Sequence, residues 1–394
     1  MLSSRRRLWA VLLACCIPQA AILAVHLPSR PVINAIISCI CVCVAGFYAT
    51  AALIPRVKHV FVKANLQGKD LNKKGTAAED QVIPESLGLI VGCVYFSCAV
   101  LFQLVYTVIE GRRLDSDGYS WLVQYNGGMA SICFMLLLGF ADDVLDIPWR
   151  YKILMPMLAS LPLLVSYSGP TTVVIPRLMR GLQVPVVGSL PHLLELGPLY
   201  KAAMALVTVF CTNSINILAG VNGLEAGQTA IISASILAFN LLALGQGWGR
   251  PDAHLVSVFL VLPLFATTGA LLQYNWFPAK VFVGDTYTYF AGMVLAVAGI
   301  LGHFPETLLL FFIPQLFNFA YSLPQLLKIV PCPRHRLGRL DPKTGLLHAT
   351  NNYNLLNFCL WLFGPCEEEV LSFRLLCIQG ICCLAAFGIR HVAK

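Results

Sequence analysis

The chain has 394 residues, 58% of them hydrophobic and only 12% charged, with a mean hydropathy of +0.75. Soluble domains carry roughly 25% charged residues, so the composition excludes one and points to an all-α polytopic membrane protein. The net charge of +8 is interrupted by apolar runs and reads as loop charge that orients the chain in a lipid bilayer; no nucleic-acid partner is expected.

At about 20 residues per span, ten or eleven helices take roughly 200–220 residues. Arg5, Arg6 and Arg7 precede an apolar run from Leu8 to Leu27. Cleaved signal peptides open in the same way, but Pro18 and Gln19 interrupt this run and no clear small-residue cleavage site follows. A retained extra span with a cytosolic N-terminus is therefore favoured. The next span, about Val32 to Ile54, empties into a loop carrying Arg56, Lys58, Lys63, Lys69, Lys73 and Lys74, cytosolic by the positive-inside rule. Further spans are expected near 87–109, 120–141, 153–168, 199–217, 229–245, 255–273, 286–302, 306–330 and 370–389. Alternation then places 142–152, 218–228, 274–285 and 331–369 on the cytosolic side, against which Arg112, Arg113, Arg177 and Arg180 are counterexamples. The expected organisation is an N-terminal extension (1–31), a transmembrane core (32–330), a small cytosolic segment (331–369) and a last helix (370–394). The 15 cysteines lack zinc-type spacing; Cys39, Cys41 and Cys43 share one apolar run, Cys382 and Cys383 another, and most read as small apolar helix residues.

The polar residues gather at one face of the membrane. GFADDVLDIPWRYK (139–152) closes an apolar run with Asp142, Asp143 and Asp146, which share one face if the helix continues as far as Pro148. Carboxylates there are costly unless a cation or metal pairs with them. KDLNKKG (69–75), IPES (83–86), NSINILAGVNGLEAG (213–227), FVGDT (282–286) and PCPRHRLGRLD (331–341) complete the set. Each has a plain alternative. Asn213 reads alone as hydrogen-bond glue between helices, Asp285 alone as a helix N-cap, and Arg334–His335–Arg336 alone as a headgroup anchor. Together they suit phosphate chemistry. Asp285, an Asn amide and the acidic pair are hard oxygen donors for Mg²⁺, while Lys152, Arg334 and Arg336 can neutralise phosphoryl oxygens.

These motifs, with FCTNSINILAGVNGLEAGQ, GHF and FNFAYSLPQLL, make the chain resemble the polyisoprenyl-phosphate N-acetylhexosamine-1-phosphate transferases from Val32 onward, most closely their tunicamycin-sensitive eukaryotic members. The resemblance implies a ten-helix enzyme of the endoplasmic reticulum, with a cytosolic active site, that moves GlcNAc-1-phosphate from UDP-GlcNAc to dolichyl phosphate in protein N-glycosylation. It also implies roles. Asn216 and Asp285 would hold Mg²⁺, and Asp142, Asp143 and Lys152 would be catalytic. Lys69, Asp70, Leu71, Glu85, Asp146, Trp149, Gly220, Asn222 and Phe282, with Arg334, His335 and Arg336, would contact UDP-GlcNAc. Dolichyl phosphate would meet Lys152 and run along Val209, Phe210, Asn213 and Ile217.

Asp146 stands where animal members carry Asn, Lys69 replaces a Gln, the segment after Arg339 is short, and residues 1–31 lie outside the resemblance. A nucleotide-sugar transporter, or a transferase for another UDP-sugar or polyprenol, is the alternative reading, and a homodimer is left open.

Overall fold

The computed structural model describes residues 2–25, 29–110, 116–175, 183–184, 188–189, 191–333 and 335–393. It begins with helices α1 (Leu2–Val25) and α2 (Arg30–Lys63), then a hairpin of β1 (Gln67–Lys69) and β2 (Val82–Pro84). Helices α3 (Gly88–Glu110), α4 (Ser116–Leu145), α5 (Trp149–Lys152) and α6 (Leu154–Ser166) follow. Short strands β3 (Thr172–Val174), β4 (Gln183–Val184), β5 (Gly188–Ser189) and β6 (Leu193–Glu195) follow α6 and pair as β3–β6 and β4–β5. The second half holds α7 (Pro198–Ile217), α8 (Leu224–Gln246), α9 (Pro251–Asn275), α10 (Gly284–Leu301), α11 (Pro305–Phe311) and α12 (Ile313–Leu326). It ends with a hairpin of β7 (Arg339–Asp341) and β8 (Leu346–His348), then α13 (Leu355–Phe363) and α14 (Glu368–Ala393).

The protein is an all-α multi-pass membrane protein. Among the described residues, eight helices are long and apolar enough to cross a membrane, and the α11–α12 pair, bent by 72°, makes a ninth. The other two expected spans correspond to α6, only 13 residues long, and α7, whose 20 residues include Lys, Thr, Ser and two Asn. Each expected span thus has its helix, but α6 is too short to cross a hydrocarbon core of about 30 Å unaided. Helix α1 packs on α8 and α14, with Gln19 Nε2 donating to the Ala234 carbonyl at 2.6 Å and Ser4 Oγ to that of Phe277 at 2.8 Å.

Helix α10 is the axis of the bundle. Every residue from Thr286 to Leu301 is buried, as expected of a helix apolar on all sides, and α3, α4, α7 and α9 surround it. In a bilayer, helices gain little from burying apolar surface against one another, so close packing and polar contacts must join them. Gly292 on α10 supplies the first: a Cβ there would lie 2.5 Å from both the Cys211 carbonyl oxygen and the Thr212 Cα of α7. A ladder of buried glutamines supplies the second. Gln315 on α12 donates to Gln228 on α8 at 2.6 Å and to Gln379 on α14 at 2.7 Å. Gln228 in turn donates to the Ile215 and Leu218 carbonyls, satisfying groups that the end of α7 leaves open.

Replacing Gly292 by alanine should push α7 away from α10 at a cost of about 1–3 kcal/mol. The expected result is a lower melting temperature in detergent and a larger loss of activity than a Gly388→Ala control, where an added Cβ meets nothing.

Candidate active site

Helix α4 stops at Leu145, three residues before Pro148. Asp146 adopts a left-handed backbone (φ +48°), and its N–H closes the last turn onto the Asp142 carbonyl at 2.9 Å. Asp146 is therefore exposed and does not share the face of the other two carboxylates, because a C-terminal cap in this conformation points its side chain out of the helical series. It lies off the cavity described below; the side chain of Trp149 is outside the described residues.

Asp142 and Asp143 point to different partners. Asp143 reaches the start of α10, where its Oδ1 accepts the Asp285 N–H at 2.7 Å and its Oδ2 accepts the Thr286 N–H at 3.1 Å and the Thr286 hydroxyl at 2.5 Å. This is an N-cap supplied by another helix. The approach requires Gly284, whose φ is +74° and whose missing Cβ would sit 2.4 Å from Asp143 Oδ2. Asp142, 3% exposed, faces the other way. Its Oδ1 accepts the Ile147 N–H at 3.0 Å, and its Oδ2 accepts the Tyr289 hydroxyl at 2.9 Å and meets Lys152 Nζ at 2.8 Å.

Lys152 is shared. Its ammonium lies 3.0 Å from Asp285 Oδ2 as well as 2.8 Å from Asp142, so α4, α5 and α10 meet at one cation. Burial works to lower the Lys152 pKa, but Asp285 and Asp142 outweigh it and hold the group above its ordinary value. Asp285 also accepts from Asn216 Nδ2 at 2.5 Å, and the same amide donates to Thr288 Oγ1 at 3.1 Å. Among the described residues no three His, Cys, Asp or Glu side chains converge as a closed metal cage. Mg²⁺ does not need one: it takes one or two carboxylates and completes its shell with water and substrate phosphate. Asp285 already pairs with a cation and holds the Asn216 amide beside it, so the two offer adjacent hard oxygen donors that fit such an ion.

Asn216 and Asp285 also line a cavity of about 280 Å³. The β1–β2 hairpin forms one wall: Phe282 N–H donates to the Pro84 carbonyl at 2.8 Å, and Glu85 N–H to that of Leu66 at 3.0 Å, placing both side chains at the cavity. Lys69, Asp70, Leu71, Gly220, Asn222 and His335 complete the expected residues found there. Lys69 leans out to Asp80 at 2.7 Å. Arg334 lies outside the described residues. Arg336 does not line the cavity; it is half-buried, its pKa lowered by burial, and its Nη1 is buried without an acceptor.

Val209, Phe210, Asn213 and Ile217 form, with Asn216, a half-exposed stripe along α7 at helical spacing. Asn213 donates to the Val209 carbonyl of its own helix at 2.9 Å, so that bond does not tie helices together. The sequence reading assigned no role to Asn72, Glu225, Asn275 and Glu368, all of which line the cavity. Asn72 and Glu225 sit inside recognised motifs. Glu368, in a run of three glutamates at the start of the last helix, carries no local signal.

A polytopic membrane fold with a carboxylate–lysine–amide cluster at one helix end suits phosphate chemistry at the edge of the lipid phase. The glycosyl transferase family 4 model matches residues 126–303. The UDP-N-acetylglucosamine–dolichyl-phosphate N-acetylglucosaminephosphotransferase of Dictyostelium discoideum is 45% identical, over 96% of this chain and 94% of its own. The enzymes of that name from Schizosaccharomyces pombe and Saccharomyces cerevisiae are 41% and 38% identical, each over 88% of this chain and about nine-tenths of their own. The chain belongs to this family of N-acetylglucosaminephosphotransferases.

The geometry separates the two adjacent aspartates. Asp143→Asn should weaken three charge-assisted hydrogen bonds and lower stability by about 2–3 kcal/mol, read as melting temperature. Asp142→Asn should leave the fold closer to wild type while turnover falls. Equal melting temperatures for the two variants would contradict this division.

Burial, with Asp143 and Asp285 nearby, pushes the Glu85 carboxyl up to about 7. A carboxyl raised above its unfolded value stabilises the fold at low pH and loses that contribution as pH rises through the folded pKa. Without divalent cations, the melting temperature should therefore fall between about pH 5 and pH 8, by a few kcal/mol of stability at most. Glu85→Gln should flatten the profile.

Proposed function

We propose that the cavity binds UDP-GlcNAc, that the half-exposed stripe of α7 guides dolichyl phosphate, and that the two meet at Asn216, Asp285 and Lys152. The chain transfers GlcNAc-1-phosphate from UDP-GlcNAc to dolichyl phosphate, giving GlcNAc-diphosphodolichol and UMP. The observation that carries the site reading is that Asn216 belongs to both the cavity wall and the α7 stripe.

An oxygen of dolichyl phosphate attacks the β-phosphorus of UDP-GlcNAc, and UMP leaves in line. The acceptor is already an anion at neutral pH, so no strong base is required. Lys152, held charged by Asp142 and Asp285, screens the negative charge of the acceptor phosphate as it approaches. Tyr289 and the Ile147 N–H hold Asp142 in place, so the lysine is positioned before substrate arrives. Asp285 and Asn216 would hold Mg²⁺, which when bound supplies charge neutralisation to the diphosphate. Asp143 positions Asp285 by capping α10. Arg336, with a buried donor awaiting an acceptor, and His335 at the cavity mouth suit the sugar-phosphate end, alongside Arg334. The active site faces the cytosol from the endoplasmic reticulum membrane, on the side where the basic loop 56–74 lies.

The test uses purified protein in detergent with UDP-GlcNAc, dolichyl phosphate and Mg²⁺, following UMP and lipid product together. Equal amounts of both, abolished by EDTA or by tunicamycin, are expected. UMP without lipid product would overturn the acceptor assignment.

A further inference from the structure

Helix α13 lies in the segment that alternation of spans places in the cytosol, yet Asn357 is the only polar residue among its nine. Leu355, Leu356, Cys359 and Leu360 are buried, whereas Trp361 is 72% exposed and Leu362 and Phe363 are each 53% exposed. Three consecutive large apolar side chains facing water would be costly. The neighbouring α12 shows what covers them. It buries Gln315, Asn318, Ser322 and Gln325 and exposes Leu316, Phe317, Phe319 and Leu323, the reverse of a helix in water and the pattern of one that faces lipid. The two exposed faces are continuous: the Phe358 ring of α13 lies 5.4 Å from that of Phe317 and 5.8 Å from that of Trp361. Lys328 follows α12 between the exposed Leu327 and Ile329, where its stem can lie on apolar surface while its ammonium reaches headgroup phosphate.

The other end of α13 is tied to the cavity. Asn354 caps the helix by accepting the Asn357 N–H at 2.9 Å, and its Nδ2 donates to the Arg336 carbonyl at 2.6 Å. Asn357 Nδ2 donates to the same carbonyl at 3.2 Å, while its Oδ1 accepts the Thr350 N–H at 2.8 Å. Thr350 Oγ1 in turn donates to the Leu337 carbonyl at 2.9 Å. The backbone of 336–337 thus hangs from the first turn of α13, and its neighbours His335 and Leu337 line the cavity. We propose that α13 is an interfacial helix whose Trp361, Leu362 and Phe363 insert into the bilayer leaflet on the cavity side, and that this anchorage positions His335 and Leu337 at the cavity. An apolar helix face of this kind sinks about 5–10 Å into the boundary between headgroups and acyl chains, a level that tryptophan favours. Trp361 is a positioning residue, acting through Asn354 and Asn357. The insertion stands on the exposed faces alone; the coupling to affinity rests on the reading that UDP-GlcNAc occupies the cavity.

The experiment reconstitutes the full-length protein in phosphatidylcholine vesicles whose acyl chains carry bromine near the headgroup end. The fluorescence of wild type minus that of Trp361→Phe isolates the Trp361 signal. Brominated lipid should quench that signal strongly and aqueous iodide weakly. The opposite order would put the helix in water and overturn the insertion. Quenching by neither would put a protein surface, such as a second copy, over α13 and would overturn it equally. In the transfer assay in vesicles, Trp361→Glu should raise KM for UDP-GlcNAc by about tenfold with a smaller change in kcat, and Trp361→Phe should restore the wild-type value. Phe363→Ser carries this arm if Trp361→Glu does not fold. An unchanged KM in a folded variant would overturn the coupling. Wild type without UDP-GlcNAc turnover would overturn the substrate reading and the coupling with it, while the quenching still decides the insertion.

Discussion

A carboxylate from one helix finishing the first turn of another is the contact on which this protein's chemistry rests. Helix α10 is buried from Thr286 onward, and the peptide N–H groups at its start need partners that the helix itself cannot supply. Asp143 satisfies two of them, and in doing so it fixes Asp285, the next side chain along, at the edge of the cavity. Gly284 makes the approach possible, and the Phe282–Pro84 hydrogen bond ties the same turn to the hairpin that bears Glu85. One capping interaction thus sets the register of α4, α10 and the β1–β2 hairpin together.

From that fixed point the site divides into two halves of opposite character. Around Lys152, positive and negative groups lie within 3.0 Å of one another and suit phosphate and metal. Around Glu368, a cationic lysine and two amides are gathered by buried carboxylates, which orient neutral groups rather than meet charge on a ligand. Buried charge is costly, and it persists where every partner is in place. In the proposed function the first half takes the reacting phosphates and the second the part of the substrate that does not react.

Much of this was legible in the sequence. Apolar runs of about 20 residues locate the spans because lipid leaves the backbone few other choices. The clusters around Asp142, Asn216, Asp285 and His335 stood out because polar residues at a membrane edge need a reason. The distinction between Asp142 and Asp143 was not legible: they are adjacent in sequence, and only the helix each faces tells them apart. Asp146 was misplaced on their face because the left-handed residue that ends α4 is an Asp rather than a glycine, and Pro148 marked a later and more obvious stop. Glu368 was missed for another reason. Its partners lie 146 and 296 residues away, a separation that no local pattern reports.

That separation has a consequence for how the enzyme is made. Domains generally form from the N-terminus as the chain emerges from the ribosome, but this cavity draws its walls from Lys69 through to Glu368. The side formed by Glu368 is completed only when α14 is threaded into the bilayer, after nearly all of the chain has been translated. A chain that stops short of Glu368 would carry the cluster of Asp142, Lys152 and Asp285 without this wall of the cavity.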